Sequence, residues 1–166
     1  WSVGHGHGKT EGWVVLAAGE NSRSYAGVEP GTKPDDLRTL SAATMSLHVP
    51  SFTPETGDAV FVPAGTVHCL GGDVVVFEVQ QNSDVTFRLF DWDRVDPATG
   101  KPRELQVDQA LACVDVSVGP VAAVVPFVES VDPVRRERLV SCGQFGMWRL
   151  TGRSGFPGSE EHTSER

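Results

Sequence analysis

Residues 57–72, GDAVFVPAGTVHCLGG, decide the fold. Within them Gly57, Pro63, Gly65 and His68 stand at the spacing G-x5-P-x-G-x2-H. A glycine opens a strand, a Pro-x-Gly turn ends it, and a histidine emerges where a small β-barrel can hold a metal. Upstream, His5, His7 and Glu11 spell H-x-H-x3-E, which supplies two imidazoles and a carboxylate at strand-compatible spacing. Alternate residues of a strand share a face, so these three can point one way while His68 completes the ligand set from another strand.

The text around these motifs reads as short strands joined by tight polar turns. Trp13 to Ala17 is an apolar run stopped by Gly19 and Asn21, and further strands are expected at Ala59 to Val62, Val74 to Gln80 and Val85 to Phe90. Their turns fall at Pro63-Ala64-Gly65, Gly71-Gly72-Asp73 and Asn82-Ser83-Asp84. The pattern predicts an all-β chain with small helical insertions. One insertion is expected near 34–46, where Pro34 precedes Asp35 and Asp36 and the apolar Leu37, Leu40 and Met45 follow. A second helix is expected between Glu104 and Asp115. Residues 137–152, ERLVSCGQFGMWRLTG, read as a strand pair, and the polar tail 154–166 reads as disordered.

Size and charge narrow the function. With 166 residues, 39% hydrophobic and 22% charged, the chain has room for one domain with a real core. A net charge of −8 argues against a broad nucleic-acid or anionic-membrane surface, so any phosphate affinity must come from a few placed residues. Cys69, Cys113 and Cys142 are odd in number and far apart, which fits reduced thiols in a cytoplasmic protein. No run of about eighteen apolar residues is present, so no membrane span is expected. The chain begins with Trp1 rather than Met, which suggests a fragment or a processed start.

The paired motifs resemble those of the cupin superfamily, with Gly72 where the common pattern has Asn. A closer resemblance runs through residues 78–115, EVQQNSDVTFRLFDWDRVDPATGKPRELQVDQALACVD, and through GKTEGWVVLAAG at 8–19 and PAGTVHCL at 63–70. These stretches are similar to the bacterial type I mannose-6-phosphate isomerases, and RERLVSCGQFGMWRL resembles the opening strands of that family's second barrel. The resemblance implies a cupin (jelly-roll) β-barrel, incomplete at one or both ends, over residues 1–115. It implies the start of a second barrel, or covering strands, over 116–153.

The same resemblance implies one Zn2+ per chain and a small sugar phosphate as substrate. The family's Lys-x-Glu and histidine turn fall on Glu11 and His68, whereas its Gln-x-His ligand pair has no equivalent. Either His5 and His7 replace that pair, or the pair lay upstream of Trp1. Arg94, in DWDR, matches a basic position of the family and is the candidate for the phosphate, against a surface pair with Asp91 or Asp93.

Other candidates come from the residues themselves. Glu78 sits within the apolar VVVFEVQQ, where burial would raise its pKa into a range suited to general acid–base work. Its structural alternative is a salt bridge to Arg88. In TFRLF, Arg88 alternates with Thr86 and Phe90, so a strand would aim it into the barrel to stabilise enediolate charge. Lys9 shares a strand face with Glu11 and is a candidate for assisting proton transfer. The expected function is zinc-dependent interconversion of mannose 6-phosphate and fructose 6-phosphate through an enediol. An Fe(II) cupin dioxygenase fits the same ligand types. So does a non-catalytic sugar-binding module.

Overall fold

The computed structural model describes residues 8–152. They fall into two compact units divided between Ala123 and Val124. Strands dominate and the helices are few and short, in keeping with an all-β chain carrying small helical insertions. The sheets do not close into a barrel among the described residues.

The first unit is built on strand β1, Glu11–Ala18. It contains β2 (Ser24–Ala26), helices α1 (Pro34–Arg38) and α2 (Met45–His48), and strands β3 (Ser51–Phe52), β4 (Ala59–Val62), β5 (His68–Cys69) and β6 (Val74–Gln80). Helix α3, Val107–Cys113, completes it. β1 lies between β4 and β6, all antiparallel, while β2 lies between β3 and β5. The register sets Trp13 opposite both Val60 and Glu78, and Glu11 opposite both Val62 and Gln80. Directly paired residues share a face, so Glu11, Trp13, Val60, Val62, Glu78 and Gln80 project from one side. Trp13, Val60 and Val62 are buried there against Phe52, Leu70, Val76 and Val121.

The turn before β5 requires its glycine. Gly65 has φ +85°, and a Cβ there would lie 2.9 Å from the Cys113 carbonyl oxygen, so no other residue fits without backbone movement. Asp115 N–H donates to the Gly65 carbonyl (3.0 Å), and Ala64 N–H donates to Thr10 Oγ1 (3.3 Å). Together these bonds fasten the histidine turn to the end of α3 on one side and to the approach of β1 on the other. The chain beyond Asp115 stays with this unit: Val121 N–H donates to the Ala26 carbonyl (3.1 Å) and Ala123 bridges Val60.

Two sequence expectations are corrected. The insertion near 34–46 is two helices rather than one. Ser41 and Thr44 exchange hydrogen bonds, each backbone N–H donating to the other's hydroxyl (3.0 and 3.3 Å), which offers the chain an alternative to a continuing helix. Leu37 and Met45 are nonetheless buried in one cluster with Val28 and Val49, against which Leu89, Phe90 and Trp92 pack. Residues 85–90 are not a strand. The main chain at Arg88 is occupied by Gln106, whose side-chain oxygen accepts from Arg88 N–H (3.0 Å) and whose own N–H donates to the Arg88 carbonyl (2.9 Å). Those two groups are thereby withdrawn from any sheet ladder through this segment.

The second unit contains β7 (Phe127–Ser130), β8 (Arg135–Ser141) and β9 (Gly146–Thr151), an antiparallel sheet in that order. The pairing of β8 with β9 matches the strand pair read from residues 137–152. The tail 154–166 lies outside the described residues.

Candidate active site

His68 and Glu11 come from different sheets and meet. His68 Nε2 is 3.5 Å from Glu11 Oε2, although β5 pairs with β2 and β1 pairs with β4 and β6. The Glu11 residue is only 1% exposed. A carboxylate this buried needs partners. Trp13 Nε1 donates to Oε2 (3.1 Å), and the Lys9 ammonium lies 3.1 Å from Oε1. That ammonium donates instead to Gln80 Oε1 (3.0 Å), and Oε1 itself has no hydrogen bond.

The geometry also fixes the histidine tautomer. His68 Nδ1 lies 2.9 Å from the Thr66 carbonyl, which can only accept, so Nδ1 carries the proton. In the neutral ring Nε2 would then turn a lone pair toward Glu11, the form in which imidazole binds a cation. Tetrahedral zinc bonds of about 2.0–2.2 Å would set two ligand atoms about 3.4 Å apart, close to the separation found. The donor pair, the lone pair and the unsatisfied Oε1 therefore fit a single divalent ion. Among the described residues no group of three or more His, Cys, Asp or Glu converges, and His5 and His7 lie outside them.

A cavity of about 340 Å³ opens beside His68. Lys9 and His68 line it together with Arg88, Asp91, Arg94 and Arg103. Arg88 reaches this wall, but from a loop rather than a strand: its Nη1 donates to the Glu104 carbonyl (3.2 Å) and its Nε lies 3.9 Å from Asp91. Arg94 follows a turn closed by its own N–H to the Asp91 carbonyl (3.0 Å), in which Trp92 and Asp93 both have positive φ. Trp92 is held between Tyr25 and Phe90, with ring centroids 5.1 and 5.3 Å away. That stack offsets the strain of a bulky left-handed residue.

Glu78 departs from expectation. β6 is an edge strand, so the Glu78 side chain is exposed rather than buried, and it does not line the cavity. Among the described residues it forms no ion pair with Arg88. It shares a face with Glu11 all the same, and partial desolvation, followed by the Glu11 charge, raises its pKa above the ordinary 4.5. Lys9 and His68 oppose that rise.

Arg103 went unnoticed in the sequence. Its Nε donates to Asp91 Oδ2 (2.6 Å) and its Nη2 donates to Asp91 Oδ1, so the two form a bidentate pair. Asp91 is 9% exposed, and the hydrogen bonds from Arg103 hold its pKa below the ordinary 3.8 despite desolvation. Nothing in the local text KPREL marks Arg103, because the pairing depends on a turn twelve residues earlier. The Asp91 that sequence reading offered as a partner for Arg94 is taken by Arg103 instead.

Comparison with known proteins places this architecture. The chain is 32% identical to the mannose-6-phosphate isomerase ManA of Bacillus subtilis and 34% identical to the mannose-6-phosphate isomerase of Streptococcus mutans, each match covering 87% of this chain and 46% of the relative. The crystal structure of the mannose 6-phosphate isomerase from Bacillus subtilis superposes with a TM-score of 0.73 at 28% identity, over 86% of this chain and 45% of that one. The chain is a relative of the mannose-6-phosphate isomerases. It spans about half the length of those it matches. No family model matches it. The structural match supports the expected cupin fold class, without a closed barrel among the described residues. Among the described residues no helix is long and apolar enough to cross a membrane.

Proposed function

We propose that this chain carries the active-site portion of an isomerase that interconverts mannose 6-phosphate and fructose 6-phosphate. The observation that carries the reading is the meeting of Glu11 and His68 at 3.5 Å beside an arginine-walled cavity, in a chain related to proteins of that name. Glu11 and His68 would hold one zinc ion, with His5 and His7 completing its ligands. Zinc, when bound, supplies a Lewis acid that polarises sugar oxygens without redox chemistry.

The chain's own residues supply the rest. Isomerisation moves one proton from C2 to C1 and one from O2 to O1 through an enediol, so a base must take the carbon proton and give it back while the hydroxyl proton passes between the oxygens. Glu78, which shares the Glu11 face of the sheet although it stands outside the cavity lining, is the candidate for that exchange, and its raised pKa brings it nearer neutral conditions than an ordinary carboxylate. Lys9, paired with both Glu11 and Gln80, places a positive charge at the mouth of the same face and favours the substrate oxygens as they gain negative charge. Arg88 does the same from the opposite wall, its guanidinium steadied by the Glu104 carbonyl and Asp91. Arg94 holds the phosphate at the far end.

A coupled assay that follows fructose 6-phosphate formed from mannose 6-phosphate tests this directly. Turnover that appears with zinc and is removed by a chelator supports it. A folded, zinc-loaded chain without turnover rejects it.

A further inference from the structure

Sequence reading assigned the phosphate to Arg94 alone, but the cavity wall holds more positive charge than one contact explains. Arg88, Arg94 and Arg103 all act on Asp91, the single carboxylate on that wall. One carboxylate can neutralise only one guanidinium. Asp96, which also acts on Arg103, is engaged elsewhere, its Oδ1 accepting from Ala98 N–H (2.7 Å) and Thr99 N–H (3.2 Å). Arg94 forms no ion pair among the described residues. Three guanidiniums thus face two carboxylates, and in a chain of net charge −8 a positive excess on a concave wall calls for an anion.

Arg103 is shaped to meet it. Asp91 engages its Nε and Nη2, which fixes the plane of the guanidinium, while Nη1 has no partner among the described residues. The side chain is 40% exposed and lines the cavity. A guanidinium clamped along one edge offers its remaining donors in a fixed fork, the arrangement that suits a phosphate monoester.

We propose that Arg103 is a phosphate contact and specificity-determining residue for the sugar phosphate, and that the buried Asp91 is the positioning residue that aims Arg103 and Arg88 into the cavity. The proposal rests on the isomerase reading for its substrate, and on the Asp91–Arg103 geometry for its residues. Because both carboxylate oxygens of Asp91 are engaged by Arg103, its loss acts through Arg103. Asp91→Asn keeps the shape of the side chain but removes the charge that orders both arginines.

Two measurements on the 166-residue chain test it. In the first, the zinc-loaded protein is assayed with mannose 6-phosphate: Arg103→Ala is expected to raise KM by about 10-fold or more while kcat changes by less than about 3-fold, since a phosphate contact is uniform binding energy, whereas Asp91→Asn is expected to raise KM by a similar factor and to lower kcat as well, because it also loosens Arg88. Arg103→Lys, which keeps the charge but loses the fork, is expected to restore part of that loss, whereas Arg135→Ala in the second unit leaves KM unchanged. In the second, inorganic phosphate is titrated into the wild-type chain while the arginine Nε–H resonances are followed by NMR, a readout that needs neither turnover nor variants. Movement of the Arg103 resonance ahead of that of Arg135 supports the proposal. Turnover in the wild type with unaltered KM in folded Arg103→Ala, or an Arg103 resonance indifferent to phosphate, overturns it. Absence of wild-type turnover alongside a phosphate-responsive Arg103 overturns the isomerase reading and leaves the anion site standing.

Discussion

Asp91 in the first unit and Glu137 in the second are both buried carboxylates held by arginines, and the contrast between them separates a structural ion pair from a site. Glu137 accepts from Arg135 Nη2 and Arg149 Nε, each at 2.9 Å, and Arg149 is its direct partner across β8 and β9. Nearby, Glu129 takes Arg136 (2.9 Å), Arg138 (3.7 Å) and the Trp148 indole (3.2 Å). Arg136 and Arg138 in turn lie over the rings of Trp148 and Phe127, at 5.1 and 4.8 Å. Strand register brings these groups together in pairs, so charge meets charge across the ladder. Asp91 sits instead on a loop with two successive left-handed residues, and its arginines face a cavity. The same chemistry stabilises a sheet where register closes it and recognises a ligand where a loop leaves it open.

Removing one buried carboxylate from each unit gives the largest expected difference. Glu11→Gln or His68→Ala should lower kcat/KM by well over about 100-fold, beyond what loss of an outer-shell partner of a metal costs. Glu137→Gln should leave it within about 2-fold, because the Glu137 ion pairs are made to Arg135 and Arg149 of its own sheet. Steady-state assays of the folded variants check both. A loss of activity in Glu137→Gln as large as that in Glu11→Gln would erase the distinction between the units.

Glu78 sharpens the comparison inside the first unit. Glu78→Gln should lower kcat by about 100-fold, the low end for a proton-transfer group. The wild-type rate should rise as pH passes the raised pKa of Glu78 and its carboxylate becomes available, and the variant should lack that limb. A pH–rate profile unchanged by the substitution would remove Glu78 from the chemistry. In the core beneath it, Trp13→Ala should cost about 3–5 kcal/mol, measured by urea unfolding, because the ring is 2% exposed and packs edge-on to His68 at 5.4 Å.

The smallest effects are in stability against pH, and their signs differ. Asp91 and Glu137 both have lowered pKa values in the folded chain. Each therefore contributes stability that is full above the ordinary carboxylate range and is lost as pH falls through the lowered value. Glu78 is raised, so its contribution is present at low pH and is lost as pH rises through its folded value. Urea midpoints measured from acid to neutral pH should show the acid-side loss diminished in Asp91→Asn and in Glu137→Gln. They should show the opposite drift diminished in Glu78→Gln.

Much of the fold was legible because alternation and turn residues are local. Strands Ala59–Val62 and Val74–Gln80 lie where Gly57, the Pro63-Ala64-Gly65 turn and the Gly71-Gly72-Asp73 turn bound them. The convergence of His68 on Glu11 was likewise readable from two motifs of fixed spacing. What escaped depended on distant side chains. Gln106 takes the main-chain groups of Arg88 in a segment, Val85 to Phe90, whose residue types favour a strand, and Ser41 and Thr44 split a helix whose apolar spacing suits one. The edge position of β6 leaves Glu78 exposed although its neighbours in sequence are apolar. Arg103 shows the limit most clearly, for only the folded loop brings it to Asp91.

The central claim is that Glu11 and His68 grip one divalent ion. Zinc titration of the purified 166-residue chain by isothermal calorimetry, beside Glu11→Gln and His68→Ala, tests it most directly. One zinc per wild-type chain and at least about 100-fold weaker binding in each variant are expected. Zinc bound equally well by all three proteins, or by none of them while folded, would contradict it.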